Sequence, residues 1–246
     1  MKINILFLHN NYDELYFASK TSVVIDVLRA SSTIVTALRN GAKEIIPVAS
    51  VEFAVKISGG LFTGQTLMCG ERNTRKVEGF ALGNSPLEFT EDRIAGKSII
   101  LYTTNGSKAV VKAKFSENLF VTTFLNLSAV AKRLIELDKD TEIICSGRGN
   151  TISLEDIVCA GKLVSEIQKS KEGVELSDSS KAGILLNKSF GKNIYKMLKE
   201  TEHGQILIEN GFEKDIEYCS KLDLFEVIPV FSSNALRLLP SVKPVA

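Results

Sequence analysis

Asp26 and Arg29 stand at the end of an apolar run, Val23-Val24-Ile25, and the hydroxyls of Ser31, Ser32 and Thr33 follow almost at once. One short segment therefore offers a metal ligand, a guanidinium and the start of a helix. Free N–H groups and the positive end of the dipole attract an anion at such a start, and an aspartate beside them can hold Mg2+. A phosphate would suit that combination. The same residues also read as a buried strand, an N-cap at Ser31 and an Asp26/Arg29 pair that neutralises itself. Arg72 and Arg148, like Arg29, fall in turns rather than on helical faces. Three forked guanidinium groups in such places point to a small, highly anionic ligand. The carboxylates near them, Asp26, Glu71, Glu155 and Asp156, are compatible with that ligand only if a cation bridges them. They are candidate Mg2+ ligands, direct or through bound water.

Other chemistries find less support. The chain has no Gly-x-x-x-x-Gly-Lys-Ser/Thr phosphate loop, and Gly147-Arg148-Gly149 lacks the third glycine of a dinucleotide fingerprint. Its two histidines, His9 and His203, do not readily build a His-rich zinc site or a serine triad. Cys69 and Arg75 have the Cys-x5-Arg spacing of a thiol phosphatase, but Glu71 would put an anion inside that cradle. Ser85-Pro86-Leu87-Glu88 and Ser153-Leu154-Glu155-Asp156 fit capping boxes. That template assigns Ser85 and Asp156 to helix ends and leaves Glu155 free to point into a cleft.

Placing these residues requires a frame. Continuous Val/Ile runs alternate with helical periodicity: strands at 2–8, 22–26 and 44–48, helices at 31–40 and 51–58. This is the pattern of a parallel sheet covered on both faces. A second series repeats the order, with strands at 98–103 and 118–123 and helices at 107–114 and up to about 137. Two similar α/β halves, about 1–97 and 98–246, are compatible with that repeat inside a single compact α/β unit. A third strand–turn–helix unit begins at Thr141, and beyond Gly173 the chain turns helical until a closing strand, Phe225–Val230, and a loose tail. Between the two series, a Gly-rich piece from Gly59 to Gly64 leads into a polar stretch from Cys69 to Glu88 that is too long for a plain connection. Every polar motif lies just after a strand and just before a helix. Open parallel sheets bind ligands outside the carboxyl ends of their strands, so distant motifs can converge on one cleft.

The chain has 246 residues, enough for a large core. Its formal net charge of +1 argues against a surface for nucleic acid or for an anionic membrane. No apolar run approaches a membrane span, and the start lacks a secretory signal. The expectation is a cytoplasmic protein whose four cysteines, Cys69, Cys145, Cys159 and Cys219, are reduced. A homodimer is compatible with the sequence, which specifies no oligomeric state.

Five ordered motifs then resemble the 2-phosphosulfolactate phosphatase family. They are Asp26-Val27-Leu28-Arg29-Ala30-Ser31-Ser32-Thr33, Gly70-Glu71-Arg72, Gly79-Phe80-Ala81-Leu82-Gly83-Asn84-Ser85-Pro86, Thr103-Thr104-Asn105-Gly106-Ser107 and Ser153-Leu154-Glu155-Asp156 with Cys159-Ala160-Gly161. His203-Gly204 and Asp215-Ile216 extend the likeness. It implies a three-layer α/β/α fold and a Mg2+-dependent phosphatase that releases phosphate and 3-sulfolactate, an intermediate of coenzyme M biosynthesis. A substrate bearing phosphate, sulfonate and carboxylate would account for three turn arginines and a metal. On this reading Asp26, Arg29, Arg72, Arg148 and His203 are the catalytic candidates, with His203 as the acid for the leaving alkoxide. Ser31, Ser32, Asn84, Ser85, Thr104, Asn105 and Gly106 cradle the anion, and Asp26, Glu71, Glu155 and Asp156 hold the metal. Whether Asp26 is nucleophile or ligand stays open. One position departs from the family pattern: Ala81 stands where Asp is usual. If that Asp handles metal or substrate, the chain lacks the group; if it only orients the loop, nothing is lost.

Overall fold

The computed structural model describes residues 1–59 and 65–240. The greater part of the Gly-rich piece, 60–64, and the tail beyond Pro240 lie outside them. The first part of the chain runs β1 (Lys2–Leu6), β2 (Thr21–Ile25), α1 (Ala30–Arg39), β3 (Glu44–Val48), α2 (Val51–Ser58), β4 (Thr66–Arg72), β5 (Arg75–Lys76), α3 (Glu91–Ile94) and β6 (Ser98–Tyr102). Next come α4 (Gly106–Lys112), β7 (Asn118–Thr122), α5 (Leu127–Leu137), β8 (Thr141–Cys145), α6 (Leu154–Ser170) and β9 (Glu175–Leu176). Four helices follow, α7 (Asp178–Phe190), α8 (Ile194–Glu200), α9 (Glu202–Glu209) and α10 (Glu213–Cys219), before the closing strands β10 (Pro229–Ser232) and β11 (Ala235–Leu238).

All eleven strands join one sheet in the order β5-β4-β6-β3-β11-β10-β7-β2-β8-β1-β9. The pairings are parallel except around β5 and the β10–β11 hairpin. Successive residues of β2 serve opposite cores. Val23 and Ile25 pack with α5, α6 and the helices from α8 to α10, whereas Val24 packs with α1 and α4. Every residue of β2 is buried, as a period-2 strand covered on both faces must be. The result is a three-layer α/β/α arrangement.

The point near residue 97 is not a seam in this sheet. β6, just after it, pairs with β3 and β4, and β7 pairs with β2. The C-terminal hairpin is wedged between β3 and β7. The closing strand therefore begins later than the apolar run suggests, with Pro229 as its first residue, where a missing N–H is tolerated. Phe225 and Val227 are bonded instead to the turn that starts α5, through Leu125 and Asn126. The expected loose tail forms β11, and β4 was hidden in the sequence by its polar end.

The sheet curls around α1. β3 and β2 are four strand spacings apart, roughly 19 Å across a flat sheet, yet α4 packs against both. Between them α1 touches β3, β7, β10 and β11, and its residues from Ala30 to Leu38 are all buried. This curvature brings the carboxyl end of β6 against that of β2. A Cβ on Gly106 would lie 2.4 Å from both Asp26 Oδ2 and the Ala30 side chain, so only glycine permits the approach.

Candidate active site

A recess opens at the carboxyl ends of β2, β4 and β6. It is lined by Asp26, Leu28, Arg29, Glu71, Thr74, Asn84, Thr103, Asn105 and His203. Asp26 ends β2, and its Oδ1 accepts the Ala30 N–H at 3.0 Å, so the first N–H of α1 is capped from four residues upstream. Its own N–H donates to Ser31 Oγ at 2.9 Å. Burial pushes the Asp26 carboxyl up from the usual carboxylate range, against the pull of the His203 charge and the Ala30 N–H.

Glu71 ties two strand ends together. It accepts the Thr104 N–H at 2.7 Å, the Thr104 hydroxyl at 3.2 Å and the Thr74 N–H at 2.8 Å. Asn73 and Thr74 form the turn between β4 and β5 with φ of 51° and 69°. A two-residue hairpin turn of that kind normally carries glycine second, and a β-branched residue there is strained. Glu71 holds the Thr74 N–H, and Arg29 Nη2 donates to its carbonyl at 2.9 Å. Thr74 Oγ1 and Asn84 Oδ1, both at the recess, are buried without a hydrogen-bond partner. Orphaned buried oxygens of this kind require an explanation, and a bound ligand or ion is one.

The helical wall supplies His203 and holds Arg29. His203 is the second residue of α9, behind a Thr201 cap whose Oγ1 accepts the Gly204 N–H at 3.0 Å. A Cβ on Gly204 would sit 1.8 Å from the Leu198 carbonyl oxygen. His203 Nδ1 lies 3.6 Å from Glu155 Oε1. Arg29 Nη1 donates to Asp215 Oδ2 at 2.6 Å, and its guanidinium lies 4.1 Å from the centre of the Phe212 ring.

The predicted site residues thus divide. Asp26, Arg29, Glu71, Asn84, Asn105 and His203 share the recess. Arg148 and Glu155 line a neighbouring groove that His203 also borders, with Arg148 half-exposed and 3.9 Å from Glu202. Arg72 is apart from both: it is exposed, 6.0 Å over the Tyr102 ring. Ser31 and Ser32 are buried structural hydroxyls rather than ligand contacts. Ser31 receives the Asp26 N–H, and Ser32 donates to the Val27 carbonyl at 2.8 Å and meets Thr123 at 3.0 Å. A helix buried on every side must satisfy its hydroxyls internally, and the residue preceding α1 is Arg29, not Ser31. Thr104 and Gly106 act in the framework, on Glu71 and against Asp26. Asn105 Oδ1 accepts the Gly149 N–H at 3.0 Å.

Neither expected capping box forms. Ser85 donates to Asp215 Oδ1 at 2.7 Å, and Ser153 makes no capping side-chain bond. Asp156, expected on a helix end or a metal, turns instead to the ends of β2 and β8. It accepts from the Val27 N–H at 2.9 Å, the Ser146 hydroxyl at 3.1 Å and the Gly147 N–H at 3.3 Å. Burial, then Asp26 and Glu155, push its carboxyl well up. All four cysteines are free and buried. Burial pushes the Cys69 thiol up to about 12, and Cys69 does not line the recess. Ala81, the departure from the family pattern, is exposed, donates its N–H to the Met68 carbonyl at 2.8 Å and lies outside the recess lining. Thr74 escaped the sequence reading, its signal being an Asn-Thr pair where a turn favours Asn-Gly, and Asp215 figured there in the family likeness without a role.

The 2-phosphosulpholactate phosphatase family model matches residues 9–234. The chain belongs to that family. It is 40% identical over 229 residues to a probable 2-phosphosulfolactate phosphatase of Caldanaerobacter subterraneus subsp. tengcongensis, covering 93% of this chain and 95% of the relative. It is 43% identical over 220 residues to one of Thermotoga maritima, covering 89% and 92%. A relative of the same name from Clostridium beijerinckii is 32% identical over 236 residues, covering 96% and 99%. The matched span contains Asp26, Arg29, Glu71, Thr74, Asn84, Asn105, His203 and Asp215, so the whole recess falls within the family's shared region.

The donor set also bears on a metal. Among the described residues no three His, Cys, Asp or Glu side chains form a ready cation cage. Mg2+ does not need one, because it characteristically takes one or two carboxylates and completes its shell with water and substrate oxygens. Asp26 Oδ2 and the two orphaned oxygens are hard donors of that kind, so the residues fit. Asp156 and Glu71 each already accept three protein hydrogen bonds. No helix among the described residues is long and apolar enough to cross a membrane.

Proposed function

We propose that this chain is a Mg2+-dependent phosphoric monoester hydrolase that converts 2-phosphosulfolactate to 3-sulfolactate and phosphate. The observation that supports it most is the recess itself. A family member places a buried carboxylate, a clamped arginine, a histidine and two unpartnered oxygens at the carboxyl edge of its sheet. Arg29 spends much of its charge on Asp215, and Asp26 and Glu71 are acidic, so a phosphate dianion would meet net repulsion there unless a cation came with it.

In this reading Asp26, supported by Glu71, would hold Mg2+, and Asn84 Oδ1 and Thr74 Oγ1 would complete the cradle. The metal would neutralise charge on the phosphoryl oxygens and polarise them for attack. Arg29 offers the phosphoryl group the N–H donors not used by Asp215 and Thr74, as expected for a transfer governed by positioning and electrostatics. His203, at the border of recess and groove, donates the proton that the secondary alkoxide needs on leaving. Arg148, in the groove, faces the sulfonate and carboxylate end.

A phosphate-release assay on 2-phosphosulfolactate tests the proposal. Release is expected with Mg2+, lost with EDTA and restored by added Mg2+. Binding of the ester without release would identify an anion-binding relative instead. Turnover that persists in EDTA and disappears in Cys69→Ser would identify the thiol chemistry that the buried, high-pKa Cys69 argues against.

A further inference from the structure

We infer that Asp215 is the positioning residue that aims Arg29 and Asn84 at the transferring phosphoryl group; the inference rests on the phosphatase reading above. Asp215 is 2% exposed and absent from the recess lining, yet one of its oxygens is committed to a recess residue and the other to the chain neighbour of one. Oδ2 accepts Arg29 Nη1 at 2.6 Å, and Oδ1 accepts the Ser85 hydroxyl at 2.7 Å. Ser85 is the chain neighbour of Asn84, whose carbonyl accepts the Thr33 hydroxyl at 2.8 Å and whose Oδ1 has no partner. One carboxylate therefore ties the turn after β2 to the loop before Pro86. The two segments meet nowhere in the sheet ladder.

An ion pair this deeply buried is poor evidence of a device for stability. Desolvation cancels much of its attraction, and a well-packed apolar pair often serves a fold as well. Its value lies in direction. The guanidinium has five N–H donors in a rigid fork. Asp215 takes one and the Thr74 carbonyl another, with Phe212 stacked against the plane. Three donors stay available in a fixed plane, as a preorganised phosphoryl clamp requires. Asp215 itself is held by α10, whose Ile216 and Cys219 are fully buried in the core.

The experiment is a double-mutant cycle of Asp215→Asn and Arg29→Lys, followed by kcat, KM and Tm with 2-phosphosulfolactate and Mg2+. Asp215→Asn keeps the shape and an acceptor for Ser85 but loses the charge that orients Arg29. A misplacement of the order of 1 Å at a reacting group costs about 10²-fold, so kcat should fall by about that factor with KM changed little. Arg29→Lys should lose a similar factor. The double variant should be no worse than Arg29→Lys alone, because Asp215 acts through Arg29. If instead Asp215→Asn lowers Tm while kcat is preserved, or if the two losses multiply, the positioning role is overturned. Asp215→Glu keeps the charge and shifts the carboxylate by one methylene, which covers the case in which Asn fails to fold. It should fold and lose about tenfold in kcat, and an unchanged kcat overturns the inference. A wild-type chain that releases no phosphate would remove the phosphatase reading and this inference with it. Wild-type turnover with an undamaged Asp215→Asn variant would remove the inference alone.

Discussion

The floor of the recess and its helical wall are held in place by different bonds. On the floor, Asp26 and Glu71 are fixed by backbone N–H groups, from Ala30, Thr74 and Thr104. On the wall, side chains grip side chains across the chain: Asp215 takes Arg29 from 186 positions away and Ser85 from 130, and Glu155 faces His203. The Ala30 and Thr74 bonds come with the turns that carry Asp26 and Glu71, and the Thr104 bond joins the ends of two neighbouring strands, so the floor is set wherever its strands end. The wall is set only when α9 and α10 dock. The floor can therefore supply charge, whereas the wall supplies direction and a proton.

The sharpest way to break that division is to remove the floor's charge. Asp26→Ala should lower kcat/KM for phosphate release by at least about 10³-fold, the scale of losing a central electrostatic group in a water-poor site. A loss under tenfold would move the chemistry elsewhere. The wall should show its contribution in the leaving group. His203→Gln should cost about 10²-fold on 2-phosphosulfolactate, and much less on an aryl phosphate whose leaving group needs no proton. Equal losses on both esters would assign His203 to the floor's work of binding charge. Arg72 belongs to neither region, and Arg72→Ala should leave kcat/KM within about twofold, as a solvated surface cation does. A large loss would mean that the hairpin carrying Arg72 closes over bound substrate.

The smallest effect lies outside both regions, at the turn after β8. His9, buried after β1, has its Nδ1 3.1 Å from the Ser146 carbonyl oxygen, and burial holds its imidazole below its ordinary value. Below the unfolded value of about 6.5, the unfolded chain takes up a proton that the folded chain resists. Stability should therefore fall as pH drops from about 6.5 towards the lowered folded value. His9→Gln should flatten that slope in thermal melts between pH 5 and 8 without changing it at the alkaline end. An unchanged slope would show that His9 titrates normally and that its surroundings are open to water.

The legibility of the molecule follows the same division. Runs such as Val23-Val24-Ile25 and Ile99-Ile100-Leu101 announce buried strands, because a strand covered on both faces admits little else. The polar residues closing them were therefore placeable at one edge of the sheet. β4 was missed because, past the core residue Cys69, it ends in Gly70-Glu71-Arg72, which add no apolar side chain to the run. The hydroxyls of Ser31 and Ser32 looked like an anion cradle, since a helix start exposed to solvent would present them; α1 is instead enclosed by the curled sheet, and they are spent on its interior. Ser85 and Asp156 looked like caps for the same reason: a local template was available, and a distant partner took the side chain.

The amino-acid pattern alone thus determined the three layers, the edge at which the chemistry gathers and the family, because periodicity and short motifs are properties of neighbouring residues. Which arginine enters the recess, which carboxylates are spent on structure, and that Asp215 reaches across the chain to hold Arg29 were decided only by the tertiary structure. The curl of the sheet and the docking of α10 set those distances, and neither is encoded in any stretch short enough to be read as a motif.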